Sequence, residues 1–490
     1  MPLIGFDNSY TNLPARFYAP ATAANASEPW MFAFNAPLAL ELGLDVETLK
    51  REGAALFSGN LKPDDAANVA LAYAGHQFGH FVPQLGDGRA MLMGEITAPD
   101  GRHVDIQLKG SGPTPFSRNG DGRAALGPVI REYIVSEAMH ALGIPTTRSL
   151  AAVTTGEAVY REQAQPGGVL ARVAASHIRV GTFQYFAARG DEDGVKLLAD
   201  HVIARHYPEL AGETDRYVRL FEAIAARQAS LIAKWMGVGF IHGVMNTDNM
   251  AISGETIDYG PCAFMDAYSA TKTFSSIDRN GRYAYANQPG IGQWNLARLA
   301  ECLLPLFGEV QEEAMEKANA ALKAYGERFQ AEWLKVMRAK LGLVREREDD
   351  LKLIQSFLSL MEEGEADFTL AFLRLTAAAG GPSADRELRE EFSAPDAAQL
   401  WLDGWRLCLE GDPTTPEERK ALMQKANPVF IPRNHRIEEA IRAAVDDGDF
   451  SLFEALNRVL AHPYEEQPGY ERYQTAPLNH EIVPRTFCGT

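Results

Sequence analysis

The sequence predicts an α+β protein with two lobes and a helical C-terminal extension. Residues 66–185 are rich in glycine and contain short stretches in which apolar and polar residues alternate, as they do in β-strands. After residue 195 the apolar residues recur at helical spacing, and residues 300–490 are rich in Ala, Leu and Glu. Strands that precede helices along the chain, rather than alternating with them, are typical of α+β folds.

The length of the chain predicts two or three packed units rather than one. It has 490 residues, of which 46% are hydrophobic and 23% are charged, and these are ordinary values for globular proteins. We divide it into an N-terminal extension (1–65), an N-terminal lobe (66–185), a C-terminal lobe (186–300) and a helical C-terminal region (301–490).

Charge and composition argue against several classes of protein. The net charge is −18 and no block of Lys and Arg interrupts the acidic balance, so nucleic-acid binding is not expected. The chain has neither a signal-like N-terminus nor the roughly 20 consecutive apolar residues of a membrane span. Its four cysteines form no CxxC pair, which argues against a zinc site. We expect a cytoplasmic monomer that binds no membrane.

Two adjacent strands are predicted at MLMGEI and HVDIQLK, because TAPDGRH between them contains a turn-forming Asp-Gly pair. The faces of the second strand differ: Val104, Ile106 and Leu108 lie on one, and Asp105, Gln107 and Lys109 on the other. A helix follows in GPVIREYIVSEAMHALGI, with Pro128 in its first turn and Gly143 at its end.

The segment QLGDGRA is the first candidate for binding phosphate. Gly86 and Gly88 flank Asp87, and Arg89 follows. Glycines allow backbone N–H groups to approach a phosphate closely, and the arginine adds positive charge. A plain turn is the alternative interpretation, and it is the commoner one for such a motif in isolation.

Lys109 and Glu132 form the second candidate pair. Lys109 ends a predicted strand and precedes a glycine-rich segment, so we expect it to point into an open site. Glu132 on the next helix could hold it by an ion pair, as a helix Glu holds a strand Lys in kinases. Two solvated surface charges are the alternative, and Glu137 is a competing partner.

A polar segment, FIHGVMNTDNMAISGETIDYG, supplies candidate metal ligands. Asp248, Asn249 and Asp258 carry the oxygen atoms that Mg²⁺ prefers. A hairpin-like stretch with its turn at Ser253 and Gly254 would bring the last two together. A polar loop held by its own side chains is the alternative.

Arg172 and Arg179 lie seven residues apart in ARVAASHIRVGTF. Taken alone, they are expected at the protein surface. In a triphosphate cleft they would become clamps for the phosphates, because guanidinium groups bind phosphate in a fixed geometry.

The order of these parts follows that of protein kinases: glycine-rich hairpin, strand Lys, helix Glu, loop Asn, then Asp-x-Gly. One part differs. The kinase base stands two residues after a His, and here Val244 holds that place after His242. A valine cannot accept a proton, which argues against ordinary transfer of the γ-phosphoryl group. Asp248 is the displaced candidate for the base.

Several long runs carry a more specific resemblance. They are YAGHQFGHFVPQLGDGRA, QLKGSGPTPFSRNGDGRAALGPVIREYIVSEAMHALGIPTTRSL, HGVMNTDNM and DYGPCAFMDAY. In these runs, and over essentially its whole length, the chain resembles the selenoprotein O family of protein adenylyltransferases. The resemblance implies a protein-kinase-like two-lobed fold in which ATP lies inverted, so that AMP passes to Ser, Thr or Tyr hydroxyls of other proteins.

The resemblance also implies the parts of the site. Nucleotide would be bound by Gly86, Gly88, Arg89, Lys109, Asp121, Gly122, Arg172 and Arg179. Asp248 would accept the proton, Asn249 and Asp258 would hold Mg²⁺ or Mn²⁺, and Glu132 would pair with Lys109. Transfer of UMP from UTP with Mn²⁺ is implied as a second activity. A kinase with a displaced base and a non-catalytic nucleotide-binding scaffold remain the alternatives.

Members of this family carry a Cys or selenocysteine near the C-terminus, and Cys488 holds that place here. In some relatives it forms a disulfide with a Cys in the segment after Asp-x-Gly. The corresponding segment here, SATKTFSSID, contains no Cys. Cys262 could substitute, but we interpret it as an inert buried thiol.

Overall fold

The computed structural model describes residues 3–487, in which an antiparallel sheet is followed by a largely helical remainder. The strands are β1 (Tyr18–Pro20), β2 (Trp30–Phe34), β3 (Val69–Leu71), β4 (Gly75–Gln77), β5 (His80–Val82), β6 (Ala90–Thr97), β7 (His103–Lys109), β8 (Ala124–Ala125), β9 (Arg148–Tyr160), β10 (Ala164–Ala174), β11 (Phe240–Ile241) and β12 (Ala263–Phe264). The predicted α+β class, with antiparallel strands and a helical C-terminal part, is confirmed.

Helices account for most of the remaining chain. The first eight are α1 (Ala36–Glu41), α2 (Val46–Phe57), α3 (Leu126–Ala141), α4 (Val180–Ala187), α5 (Glu192–His206), α6 (Arg216–Gly237), α7 (Gln288–Phe307) and α8 (Gln311–Leu341). The others are α9 (Asp350–Glu363), α10 (Phe368–Ala378), α11 (Asp385–Glu390), α12 (Pro395–Leu409), α13 (Pro416–Gln424), α14 (Asn434–Asp446) and α15 (Ser451–Leu460). In the part of the chain described, no helix is long and apolar enough to cross a membrane.

The main sheet has the strand order β1-β3-β6-β7-β10-β9-β2, with β8 beside β10. The predicted hairpin of β6 and β7 is present, and Gly101 at its turn adopts a left-handed conformation with φ +85°. Strands β1 and β2, which come from the first 65 residues, form the two edges of this sheet. The predicted N-terminal extension (1–65) therefore contributes strands to the same sheet as residues 66–185.

Strand β7 is buried on both faces. Its apolar residues, including Ile106 and Leu108, lie in a core that also contains Phe57 of α2. Its polar residues, including Gln107 and Lys109, are buried on the opposite face. The predicted alternation is correct, but the polar face is covered by protein, so each polar group needs a partner there.

Helix α3 lies between the sheet and the end of the chain. It starts two residues before Pro128 and ends ahead of Gly143, which has φ +74°. Its buried residues Ile130 and Tyr133 share one core with Ile437 of α14 and Phe453 of α15. Helices α14 and α15 thus return to cover helix α3.

A buried ion pair network fastens this returning segment. Arg433, which is 1% exposed, donates to Asp266 at 2.6 Å and to Asp367 at 2.8 Å. Asp367 also caps α10 by accepting from the backbone N–H of Leu370 at 2.9 Å. One guanidinium therefore joins the segment before α14 to the loop after β12 and to the start of α10.

We predict that Arg433→Met destabilises the whole protein. Removing one partner of a buried ion pair costs about 3–5 kcal/mol, because the remaining charges stay buried and unpaired. Urea unfolding followed by tryptophan fluorescence measures the change. Arg386→Met is the control, since Arg386 pairs with Glu390 on the exposed surface of α11. Equal unfolding midpoints for the two variants would contradict the prediction.

Candidate active site

The carboxylate of Asp258 is the centre of the candidate site. Its Oδ1 accepts hydrogen bonds from Lys109 Nζ at 2.6 Å and Arg172 Nη1 at 2.7 Å, and its Oδ2 accepts from Arg179 Nη1 at 2.7 Å. Burial alone would raise the pKa of Asp258, but the charges of Lys109, Arg179 and Arg172 hold it well below its usual range. The group is therefore an ionised carboxylate bound to three cations.

Adjacent elements bring these three cations together. Lys109 is the last residue of β7, and Arg172 stands on the neighbouring strand β10, where it pairs with Gln107. Arg179 is the N-cap residue of α4, which begins shortly after β10 ends. The surface positions expected for the arginines are wrong, because Arg172 is 1% exposed and Arg179 is 3% exposed.

Glu132 supplies a second carboxylate to the cluster. Its Oε2 accepts from Lys109 Nζ at 2.6 Å and its Oε1 from Arg172 Nη1 at 3.2 Å. Glu137, the competing partner, instead binds Arg148 at 2.8 and 3.0 Å. The helix carboxylate nearest Lys109 is thus Glu132, and it contacts a second cation as well.

Asp248 lies beside this cluster on a 3-10 turn, Thr247–Asn249. Its backbone carbonyl accepts from Arg179 Nη1 at 2.6 Å, and its Oδ2 accepts from Gln77 Nε2 at 3.2 Å. Its buried Oδ1 has no hydrogen-bond partner among residues 3–487. Burial raises the pKa of Asp248 to about 6, although the charge of Arg179 opposes the rise. An unpartnered carboxylate oxygen with a raised pKa has the properties of a proton acceptor.

Oxygen atoms suited to a hard cation are available in the same place. The amide nitrogen of Asn249 donates to the carbonyl of Val244 at 3.0 Å, so its oxygen is the atom left to meet a cation. No group of three or more His, Cys, Asp or Glu side chains among residues 3–487 could hold a metal ion. A metal here would rest on carboxylate and amide oxygens together with ligand phosphates, a set that suits Mg²⁺.

The glycine-rich segment is held in shape by a second loop. A Cβ on Gly86, which has φ +74°, would lie 2.3 Å from the ring of Phe116, and one on Gly88 would lie 2.9 Å from the Phe116 carbonyl oxygen. Thr114 Oγ1 donates to the carbonyl of Asp87 at 2.6 Å. Glycine is required at both positions because the neighbouring loop leaves no room for a side chain.

The other residues implied for nucleotide binding lie on or near this pair of loops. Arg89 is half-buried, and its carbonyl accepts from the N–H of Gly110 at 2.7 Å. Gly122 has φ +64° and packs on the backbone of Gly112. The Asp121 side chain is partly exposed and binds Arg161 at 2.7 Å, so it lies on the outer side of its loop, apart from the contacts of Asp258.

Three buried residues of the site were not predicted. Asp87 accepts from the backbone N–H of Leu71 at 3.1 Å and from Gln107 Nε2 at 3.0 Å. Gln107 Oε1 in turn accepts from Arg172 Nη2 at 2.6 Å. The third residue is Tyr73, whose ring centre lies 4.7 Å from the guanidinium of Arg179. The alternation of β7 could have found Gln107, because it shares a face with Lys109. No comparable signal marks Tyr73.

The segment around Asp258 differs in detail from the predicted hairpin. A turn is present, with the N–H of Gly254 donating to the carbonyl of Ala251 at 3.2 Å. Its two arms bond elsewhere, however: the N–H of Ile252 donates to Ile178 and the N–H of Thr256 donates to Pro145. The loop is therefore shaped by the neighbouring elements rather than by its own pairing.

The remaining predictions concern His242, Val244 and two cysteines. His242 is buried and its Nε2 lies 3.0 Å from the carbonyl of Ile257, the residue before Asp258. Val244 is buried. Cys262 is buried, and Cys488 lies outside the described residues.

Comparison with known proteins gives one consistent result. The family described as Protein adenylyltransferase SelO matches residues 3–461. The Protein nucleotidyltransferase YdiU of Rhizobium leguminosarum bv. trifolii (strain WSM2304) is 64% identical over 485 residues, covering 99% of this chain and 97% of the relative. The protein of the same name from Rhizobium meliloti (strain 1021) is 62% identical over 490 residues, with both chains covered completely. That of Bradyrhizobium diazoefficiens is 60% identical over 486 residues and covers 99% of each chain.

We predict that Asp258→Asn tightens the binding of inorganic tripolyphosphate in the absence of metal by about tenfold, because the anion no longer competes with a carboxylate for three cations. Asparagine keeps the shape of the side chain and tolerates the left-handed backbone at φ +65°. Isothermal titration calorimetry measures the change.

The control for this measurement is Asp100→Asn, which alters an exposed aspartate paired with Arg102 at the β6–β7 turn. It should bind tripolyphosphate as the wild-type protein does. Weaker binding by Asp258→Asn than by this control would show that the three cations do not form the anion site.

Proposed function

This chain belongs to the SelO family of protein adenylyltransferases, and on that premise we propose that it transfers AMP from ATP to Ser, Thr or Tyr hydroxyls of other proteins. Family membership makes it a nucleotidyltransferase. The observation that carries the proposal is the proximity of two unlike carboxylates. Asp258 accepts hydrogen bonds from three cations, whereas the neighbouring Asp248 keeps one buried oxygen that has no partner among the described residues.

The three cations are suited to the part of the nucleotide that leaves. The acceptor oxygen forms a bond to the α-phosphorus, and the bond from that phosphorus to the oxygen bridging to the β-phosphate breaks. Pyrophosphate departs with the negative charge, which Lys109, Arg172 and Arg179 stabilise. Because these groups are already gathered around Asp258 and Glu132, the phosphates would meet all three together as they displace the Asp258 carboxylate.

The proton of the acceptor hydroxyl passes to Asp248 Oδ1. This oxygen is unpartnered among the described residues, and the raised pKa of Asp248 makes it a better acceptor than an ordinary carboxylate. Gln77 holds the other carboxylate oxygen at 3.2 Å and so fixes the orientation of the side chain. Val244, at the position of the usual kinase base, is excluded from this role by its chemistry.

A divalent ion fits the oxygen set beside the base. Once the phosphates take over contacts of the three cations, Asp258 oxygens become available, and Asn249 and Asp258 would then hold Mg²⁺ or Mn²⁺. The bound ion would neutralise phosphate oxygens of the nucleotide. The strongly lowered pKa of Asp258 keeps this ligand ionised. The residues of the site would contact the phosphates and the metal ion, which are the same for ATP and UTP. The proposal therefore includes UMP transfer with Mn²⁺ as a second activity.

A protein-kinase-like arrangement of two lobes is part of the same proposal. Its support is the order of the parts: the β6–β7 hairpin, Lys109 at the end of β7, Glu132 on α3, the turn with Asn249, and Asp258 before Gly260. The lobes would meet at Asp258, with 66–185 on one side and 186–300 on the other. The monomeric state belongs to this proposal as well.

We predict that acceptor protein becomes labelled from ATP carrying ³²P at the α-phosphate and stays unlabelled from ATP carrying it at the γ-phosphate. The reason is that the α-phosphorus stays with the transferred AMP, whereas the γ-phosphorus leaves in pyrophosphate. Gel autoradiography of a lysate incubated with the enzyme and Mg²⁺ measures this. Label retained from the γ position alone would identify a kinase, and no label from either would identify a scaffold.

We predict that Asp248→Asn lowers kcat at least about a hundredfold while the KM for ATP changes less than about threefold, because the variant loses a base but no phosphate contact. Initial rates with α-labelled ATP provide both constants. Asp191→Asn, at the partly exposed N-cap of α5, is the control and should retain full activity. A matched loss of nucleotide binding and turnover would assign Asp248 a structural role.

A further inference from the structure

A short hairpin formed by β4 and β5 lies directly over the candidate base. The N–H of His76 donates to Thr247 Oγ1 at 2.7 Å, and Gln77 Nε2 donates to Asp248 Oδ2 at 3.2 Å. The N–H of Phe78 donates to Asn246 Oδ1 at 3.0 Å. Three successive residues of the hairpin thus bind three successive residues of the turn that presents Asp248.

The contact is close enough to require glycine in the first of these strands. A Cβ on Gly75 would lie 2.6 Å from Asp248 Oδ1. The hairpin therefore forms a wall packed against that oxygen. An acceptor hydroxyl that reached Asp248 Oδ1 would lie next to this wall.

The outer side of the hairpin carries an aromatic and cationic surface, which we call the hairpin platform. It consists of His76, Phe81, Arg282, Trp294 and Arg298. The ring of His76 lies 5.0 Å from that of Phe81 and 5.2 Å from that of Trp294. The guanidinium groups of Arg282 and Arg298 lie 4.8 and 5.0 Å from the ring centre of Trp294.

The hairpin platform has an excess of positive charge on an acidic protein. Among the described residues, Arg282 forms no ion pair, and its buried Nε has no hydrogen-bond partner. Arg298 has one carboxylate partner, the exposed Glu301 at 2.7 Å. Arg189 adds a third guanidinium at the other end of the hairpin, where it donates to the carbonyl of Pro83 at 3.0 Å. The whole chain has a net charge of −18, so this local excess is unusual.

We propose that the hairpin platform binds the segment of the target protein that carries the acceptor hydroxyl, and that this segment has Asp or Glu residues beside the hydroxyl. The proposal rests on the function proposed above and names the class of acceptor. Carboxylates of the target would pair with Arg282 and Arg298, and apolar parts would cover Phe81, which is 39% exposed. The positive charge of the hairpin platform would offset the repulsion between this acidic enzyme and an acidic target segment.

The position of the platform favours an acceptor over the nucleotide. Lys109, Arg172 and Arg179 already supply a phosphate site around Asp258. The hairpin stands beside Asp248, with Gln77 turned toward the carboxylate and the tip glycine, Gly79, turned toward Arg282. Arginines outside this wall are placed to contact a chain that reaches in from solvent.

Peptide acceptors test the proposal with the wild-type enzyme. Two serine peptides of equal length are compared, one with Glu and one with Lys on both sides of the serine, using α-labelled ATP. We expect kcat/KM to be at least about tenfold higher for the Glu peptide, because opposite charges at a rim site add about this much. The Glu peptide with its serine replaced by alanine should compete with the acceptor but not with ATP.

Arg282→Glu supplies the matched variant, and Arg386→Glu on exposed α11 makes the same charge change at a distance. Arg282→Glu should abolish or reverse the preference between the peptides and leave the KM for ATP unchanged. Arg386→Glu should change neither the preference nor the KM for ATP. Equal rates for the two peptides in the wild-type enzyme would overturn the docking proposal alone. A raised KM for ATP in Arg282→Glu would also overturn it, by assigning the platform to the nucleotide. Absence of α-label on every peptide and protein would overturn the proposed function and this proposal together.

Discussion

The ion cluster around Asp258 is the interaction on which the rest of the site depends. Three cations buried beside one another would repel strongly in a medium of low dielectric constant. Asp258 and Glu132 offset that repulsion, and Gln107 relays a further contact from Asp87 to Arg172. The cluster joins strands β7 and β10, helix α3, the start of α4 and the loop before β12. The ion pairs hold each of these elements in place, so the same contacts determine the arrangement of the sheet and the geometry of the site.

Much of the site could be predicted from local patterns, and the remainder depends on pairing between distant segments. The β6–β7 hairpin, α3 and the polar face of β7 follow from alternation, helical spacing and turn residues within a few positions. The convergence of Arg172 and Arg179 on Asp258 does not follow from such local patterns. It depends on the register of β10 against β7 and on the residue at which α4 begins. A single-residue change in that register would turn Arg172 to the other face. The contacts of Asp87 could not be predicted either, because its partners Leu71 and Gln107 lie 16 and 20 residues away in the sequence.

The C-terminal helical region, whose role no motif indicated, packs against helix α3. Arg131 of α3 donates to Asn434 Oδ1 at 3.5 Å and also to Glu438 of α14. The rings of Tyr133 and Phe453 lie 5.4 Å apart. Residues 131 and 133 flank Glu132, so the helices that end the chain fix the helix that holds Lys109. Near the C-terminus, the N–H of Thr486 donates to the carbonyl of Phe274 in the segment SATKTFSSID at 2.8 Å, which brings the tail back to the loop that follows Asp258.

This return of α14 and α15 to α3 has a consequence for synthesis on the ribosome. Residues 126–141 emerge early, but the helices that cover their apolar face emerge more than 290 residues later, as Ile437 and Phe453 do. Until then the nascent chain carries an uncovered apolar helix face, which is a natural binding site for chaperones. The helix that carries Glu132 therefore gains this cover only after α14 and α15 have been synthesised.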